Sequence, residues 1–125
     1  MTTTLQQNTV LIIEDDIKIN RMFAKQLEAA GLICSGVTSI REAVAYLTEV
    51  NLPNLIILDL ELEDGIGTAV LDELQKRQMH ETKVIIVSAN AYSQMYDLSH
   101  YQVDHILVKP VSPRGLSVLV NELLS

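Results

Sequence analysis

Leu55-Ile-Ile-Leu-Asp59 is the stretch that decides the fold. Four consecutive apolar residues end in a carboxylate, and a run that short and that apolar suits a strand buried on both faces. Asp59 then stands at the C-terminal end of the strand. In an open α/β sheet that edge is where ligands bind.

Working outward, the chain reads as βα repeated five times. Toward the N-terminus, Val10–Ile13 is a first apolar strand, followed at once by Glu14, Asp15 and Asp16. Asp16 suits a helix N-cap, because a short carboxylate accepts from the free N–H groups of a first turn. Ile19, Met22, Phe23, Gln26, Leu27 and Ala30 form a stripe at helical spacing, and Gly31 suits the left-handed residue that ends it. Ile33–Val37 is a weaker strand, with Ser35 and Gly36 inside it, and belongs at a sheet edge. Ser39-Ile-Arg-Glu42 has the spacing of a capping box before a helix whose apolar face is Ile40, Ala43, Val44 and Leu47. Pro53 and Asn54 break the chain before the central strand.

Toward the C-terminus, residues 60–67 read as a loop with two glycines, and a third helix carries Val70, Leu71 and Leu74. Val84–Val87 is the next strand, followed by Ser88; a more polar helix is expected over roughly Ala91–Ser99. Ile106–Val108 is the last strand, followed by Lys109 and Pro110. Ser112 caps a final helix, with Pro113 in its first turn and Leu116, Leu119, Val120 and Leu123 on its buried face. Right-handed crossovers between parallel strands place helices on both faces of a single five-stranded sheet, a doubly wound α/β sandwich.

The totals agree with one such domain. The chain has 125 residues, 48% of them apolar and 20% charged, enough for a real core and too few for two. A net charge of −7 excludes nonspecific nucleic-acid binding, which runs on basic surface. Cys34 is the single cysteine and cannot form an intramolecular disulfide, so a cytoplasmic location is expected. No run approaches the roughly 18 apolar residues of a membrane span. Met1–Asn8 is polar and uncharged, unlike a signal peptide, and is expected to be a flexible segment ahead of a domain over residues 9–125.

The topology brings Asp15 and Asp16, Asp59, Ser88 and Lys109 to one sheet edge. Carboxylates in such a cluster repel, by ~4 kcal/mol for a pair ~4 Å apart at an effective dielectric of 20, unless a cation lies among them. Oxygen-only ligands favour a hard ion, magnesium before zinc. A lysine at the same edge suits an incoming anion, and a serine hydroxyl can donate to a phosphoryl oxygen. Together these groups form an electrostatic cradle for phosphoryl transfer.

With those residues in place, the chain resembles the receiver domain of two-component response regulators from Val10 to about Leu124. The resemblance rests on four motifs in order: Glu14-Asp15-Asp16 after the first strand, Asp59 with Gly67 eight residues on, Ser88-Ala89, and Lys109-Pro110. It implies a flavodoxin-like fold with strand order 2-1-3-4-5. It also implies that Asp59 accepts a phosphoryl group from a sensor histidine kinase, a histidine phosphotransfer protein or a small phosphodonor. Asp16 and Asp59 would ligate Mg²⁺ (or Mn²⁺) directly, Asp15 through water, and the Glu61 backbone carbonyl would complete the protein ligands. Lys109 and Ser88 would hold the phosphoryl, and Lys109–Pro110 would be cis. The chain would be a signalling switch and not an enzyme. It would change partner binding through the face of the fourth helix, last strand and last helix, and could dimerise on phosphorylation. Its output would be a separate effector protein or, in a longer regulator, its own output domain, with no direct nucleic-acid contact and no membrane.

Three positions depart from the family pattern. Ile106 stands where an aromatic residue is usual, Glu63 where a proline is common, and Gln102-Val103 where Gly-Ala is common. The first two motivate an alternative from the binding class, a pseudo-receiver that docks a partner without regulation by phosphorylation. A third reading, a small phosphatase with an aspartyl-phosphate intermediate, wants an aspartate where Glu61 sits and more chain for a cap domain.

Overall fold

The computed structural model describes residues 8–48, 52–89 and 97–125. Its elements are β1 (Thr9–Ile13), α1 (Ile17–Ala29), β2 (Ile33–Val37), α2 (Ile40–Thr48), β3 (Leu55–Asp59), β4 (Glu61–Leu62), β5 (Gly65–Ile66), α3 (Thr68–Lys76), β6 (Lys83–Ser88), β7 (His105–Val108) and α4 (Pro113–Leu124). Five of the strands form one parallel sheet in the order β2-β1-β3-β6-β7. Setting aside the small hairpin β4–β5, this is the expected flavodoxin-like order.

Strand periodicity explains why β1, β3 and β6 are apolar at every position. Leu11, Ile13, Ile56, Leu58, Val84 and Ile86 face one side, against Ala43 and Leu47 of α2 and Val70, Leu71 and Leu74 of α3. Val10, Ile12, Leu55, Ile57, Ile85 and Val87 face the other, against Phe23 and Leu27 of α1 and Leu116 and Val120 of α4. Side chains alternate along a strand, so a sheet covered on both faces needs apolar residues of both parities. β3 is buried at all five positions and is the rigid centre on which Asp59 is mounted.

The edges are less regular. β2 is largely exposed, as its serine and glycine suggest, and β7 forms the other edge with Ile106 39% exposed. On α1 the expected stripe is altered. Met22 is 44% exposed, and polar Asn20 takes a buried place beside Phe23 and Leu27. Gly31 has φ +92 and ends α1 as expected. The capping box at α2 is half formed. Ser39 Oγ accepts from Glu42 N at 3.0 Å, while the Glu42 carboxylate accepts from the Thr38 hydroxyl at 2.8 Å.

One expectation is revised, and two fall largely outside the described residues. Residues 60–67 are not a plain loop, because β4 and β5 pair as an antiparallel hairpin turned at Glu63–Asp64 and followed by Gly65, whose φ is +145. The helix expected over Ala91–Ser99 lies mainly outside the described residues, and Asp97–Ser99 are not helical. Of the expected N-terminal segment, residues 1–7 also lie outside, but the Asn8 carbonyl accepts from Ile33 N at 3.0 Å and so extends the β1–β2 pairing. No helix among the described residues is long and apolar enough to cross a membrane. Cys34 is half-buried on β2, and burial, then Glu28, pushes its thiol up to about 11. Tyr101 donates to Asp72 and packs against the α2–α3 side of the core.

Candidate functional site

β1, β3, β6 and β7 end at one edge of the sheet, and residues at or just after those ends meet there. Asp59 is 3% exposed. Its Oδ1 accepts from Glu61 N at 3.0 Å and its Oδ2 from Lys109 Nζ at 3.0 Å, so the carboxylate is held in one orientation. Lys109 directly follows β7, its backbone N donates to Ser88 O at 2.8 Å, and its bond to Pro110 is cis. Its ammonium also forms an ion pair with Glu14 Oε1 at 2.8 Å. Burial alone would lower the lysine pKa, but the Glu14 and Asp59 carboxylates outweigh it and hold Lys109 above the usual range.

Glu14 is the member of this group that the sequence reading did not assign a role. It is 2% exposed, and its Oε2 accepts from Asp16 N at 3.1 Å. Asn20 fixes the loop it begins, for the Asn20 amide donates to Glu14 O at 3.0 Å and Val37 O at 2.9 Å. Carboxylate oxygens of Glu14, Asp15 and Asp59 lie within 4.8 Å of one another. Asp16 stands outside that group. It is exposed, and its Oδ1 accepts from Lys18 N and Ile19 N as the α1 N-cap. The expected pair Asp15–Asp16 is thus met in space by Glu14–Asp15. The order of three acids does not show which of them turns inward; the α1 cap holds the Asp16 carboxylate at the helix start.

Asp15 is half-buried, and burial, then the neighbouring Glu14, raises its carboxyl above the ordinary range. The donor set is all carboxylate oxygen and is deficient in positive charge, with Lys109 its one close cation among the described residues. Those properties fit a hard divalent ion such as Mg²⁺.

Ser88 closes the site from β6 and is fully buried. Its hydroxyl donates to the Glu61 carboxylate, at 2.9 Å to Oε1 and 3.0 Å to Oε2, and Ala89 N donates to the same Oε1 at 2.9 Å. Sequence reasoning placed only the Glu61 backbone carbonyl here. The side-chain position has no sequence signal, because it depends on how β4 leaves Asp59. Gly67 is the other residue with a positional reason. A Cβ there would lie 2.5 Å from the Asp59 carbonyl oxygen, so the α3 N-terminus can approach the end of β3 only with glycine at this point. His80, His100 and His105 are exposed, and His105 begins β7.

Comparison with known proteins gives a consistent result. The sequence pattern described as response regulator receiver domain matches residues 10–121. The probable transcriptional regulator ycf27 of Porphyridium aerugineum is 28% identical over 123 residues, covering 96% of this chain and 49% of that protein. The chain spans about half the length of the curated relatives it matches. Among solved structures, a CheY-like response regulator receiver domain protein from Methanospirillum hungatei superposes with a TM-score of 0.86 and 28% identity, covering 95% of this chain and 94% of that one. The response regulator TrrA from Thermotoga maritima, solved in complex with Mg²⁺ and BeF, superposes with a TM-score of 0.80 and 25% identity, covering 94% and 99%.

Proposed function

Because the chain belongs to the response regulator receiver domain family, a signalling family, we propose that it is a phosphoryl-accepting switch with Asp59 as the acceptor. The observation that carries this is the setting of the Asp59 carboxylate. It is buried at the end of the central strand, held by Lys109, flanked by Glu14 and Asp15, and in register with Val87, the residue before Ser88 on β6.

In the proposed step an Asp59 oxygen attacks the phosphorus of the donor. The new O–P bond forms as the bond to the leaving group breaks, and the leaving group departs with the electron pair. With acetyl phosphate the leaving group is acetate, and with a phosphohistidine of a sensor kinase or phosphotransfer protein it is the imidazole. Asp15 and Asp59, with the Glu61 carbonyl, would hold Mg²⁺ or Mn²⁺. When bound, that ion supplies positive charge at the phosphoryl oxygens. Glu14 orients Lys109, and Lys109 offers its ammonium to a phosphoryl oxygen. Ser88 and Ala89 N supply further donors. Asp16 caps α1 and places Asp15 without ligating. Phosphorylation adds charge at this edge and changes the binding of an effector or an attached output domain through the face around β7 and α4, or through homodimerisation. Contact with nucleic acid by this domain itself is not part of the reading, given its net charge of −7.

Incubation with acetyl phosphate and Mg²⁺, followed by intact mass, tests the proposal. The wild-type domain is expected to gain one phosphoryl group and Asp59→Asn none. Modification of Asp59→Asn, or its absence from wild type, would overturn the acceptor role. A pseudo-receiver reading draws on Ile106, a non-aromatic residue at the edge strand. It predicts partner affinity that is the same with and without a phosphodonor.

A further inference from the structure

The acceptor reading leaves one side chain unexplained. Glu61 lies two residues beyond Asp59 at the start of the β4–β5 hairpin, and its carboxylate turns inward. It takes the Ser88 hydroxyl on both oxygens and the Ala89 N–H on one. Those two donors, at the end of β6 and just after it, are the ones the acceptor reading assigns to a phosphoryl group on Asp59. A solvated surface glutamate has no reason to bind a fully buried serine, and its neighbour Glu63 on the same hairpin is exposed.

Resting on the acceptor reading, we propose that the Glu61 carboxylate is an internal competitor of the phosphoryl group. It occupies the phosphoryl-binding donors of β6 in the unmodified domain and must be expelled when Asp59 is phosphorylated. A carboxylate resembles the phosphoryl in the features those donors recognise, namely negative charge and paired oxygens with free lone pairs. Ser88 has one hydroxyl proton and Ala89 one amide proton, so they cannot serve both anions in full. Like charge at this range makes joint occupancy still less favourable. Glu61 therefore slows phosphorylation while keeping Ser88 in place before the phosphoryl arrives. It also makes the domain selective, for a donor must bring enough binding energy to displace it. A kinase surface that draws the β4–β5 hairpin outward would meet that requirement better than a small phosphodonor. The atoms of the transfer itself are unchanged, and the displaced carboxylate moves to solvent with its charge.

The test compares wild type, Glu61→Ala, Glu61→Gln and Glu63→Gln with acetyl phosphate at saturating Mg²⁺, following phosphoryl gain by intact mass. Glu61→Ala keeps the backbone carbonyl but vacates the donors. It is expected to be phosphorylated faster by roughly tenfold, the factor that matches release of one charge-assisted hydrogen-bonded contact. Glu61→Gln retains an acceptor without the charge and is expected to gain less. Glu63→Gln, which removes a nearby charge without touching Ser88, is expected to match wild type. The Ala89 amide resonance provides a second readout. It is expected to differ between wild type and Glu61→Ala before phosphorylation, and to converge once both carry the phosphoryl. A Glu61→Ala rate equal to wild type, or an equal acceleration by Glu63→Gln, would overturn the competitor role and leave the acceptor reading intact. Failure of every variant to take a phosphoryl would instead remove the acceptor reading, and this inference with it.

Discussion

At the scale of single residues, the site is a problem of approach distance and charge. Gly67 shows the first. Its missing side chain lets the N-terminus of α3 close against the Asp59 carbonyl, with Gly67 N donating to Leu60 O at 2.7 Å. Gly67→Ala puts a methyl group against backbone that cannot give way. It is expected to destabilise the domain by about 1–3 kcal/mol, the usual range for overpacking. The Asp59 end of β3 is expected to shift and phosphorylation to slow. Urea denaturation and the acetyl phosphate time course check both, and an unchanged rate with lowered stability would confine Gly67 to packing. Charge accounts for Glu14 and Lys109. Two buried carboxylates face one ammonium, and the pairing holds the lysine pKa up. Asp59, Ser88 and Lys109 were legible as site residues because each directly follows an apolar strand. Glu14 was harder to read, because three acids in a row follow β1 and the order of residues does not say which of them turns inward.

At the scale of elements, the β4–β5 hairpin connects the site to a helix. Its strand β4 carries Glu61 into the site, and its turn carries Asp64 to the start of α2. Asp64 Oδ1 accepts from Ile40 N at 2.9 Å and Oδ2 from Arg41 N at 3.1 Å, so a residue more than twenty positions away caps this helix. The Ile40 N–H, and with it the Arg41 N–H, holds the Asp64 carboxyl below the usual range. A depressed folded pKa contributes stability above the unfolded value, near 3.8, and loses it as pH falls through the folded value. Asp64→Ala is therefore expected to melt below wild type at neutral pH, and the two melting curves are expected to draw together in acid beneath the folded value. A gap independent of pH would show that the loss is one of hairpin packing and not of the charged cap. The hairpin was read as a loop from sequence because two-residue strands carry no periodicity and because Gly65 and Gly67 signal a break.

At the scale of the whole molecule, the sheet gathers negative charge at one edge of an acidic protein. Burial, then Glu14, raises the Asp15 carboxyl. A raised folded pKa gives stability that is present below the ordinary aspartate value and is lost as pH rises through the folded one. Ionised Asp15 therefore works against the fold at neutral pH when no cation is bound. Mg²⁺ that binds only the folded state adds about 2.7 kcal/mol at a hundred times its Kd. In thermal melts Mg²⁺ is expected to raise the wild-type Tm. Asp15→Asn is expected to melt higher than wild type in chelator and to respond little to Mg²⁺. A variant that responds as wild type does would remove Asp15 from the ligand set.

The amino-acid order alone determined the layered architecture. Continuous apolar runs demand cover on both faces, helical stripes supply it, and a parallel sheet delivers the residue after each strand to a common edge. It also determined the chemistry available at that edge: acids, a hydroxyl and a lysine. The tertiary structure alone decided which of those groups meet. Strand parity ends at Ile13 and at Leu58, and beyond those points side-chain direction is set by caps, hairpins and neighbours distant in sequence. That is why Glu14 faces Lys109 while Asp16 caps α1, and why the Glu61 side chain turns to Ser88.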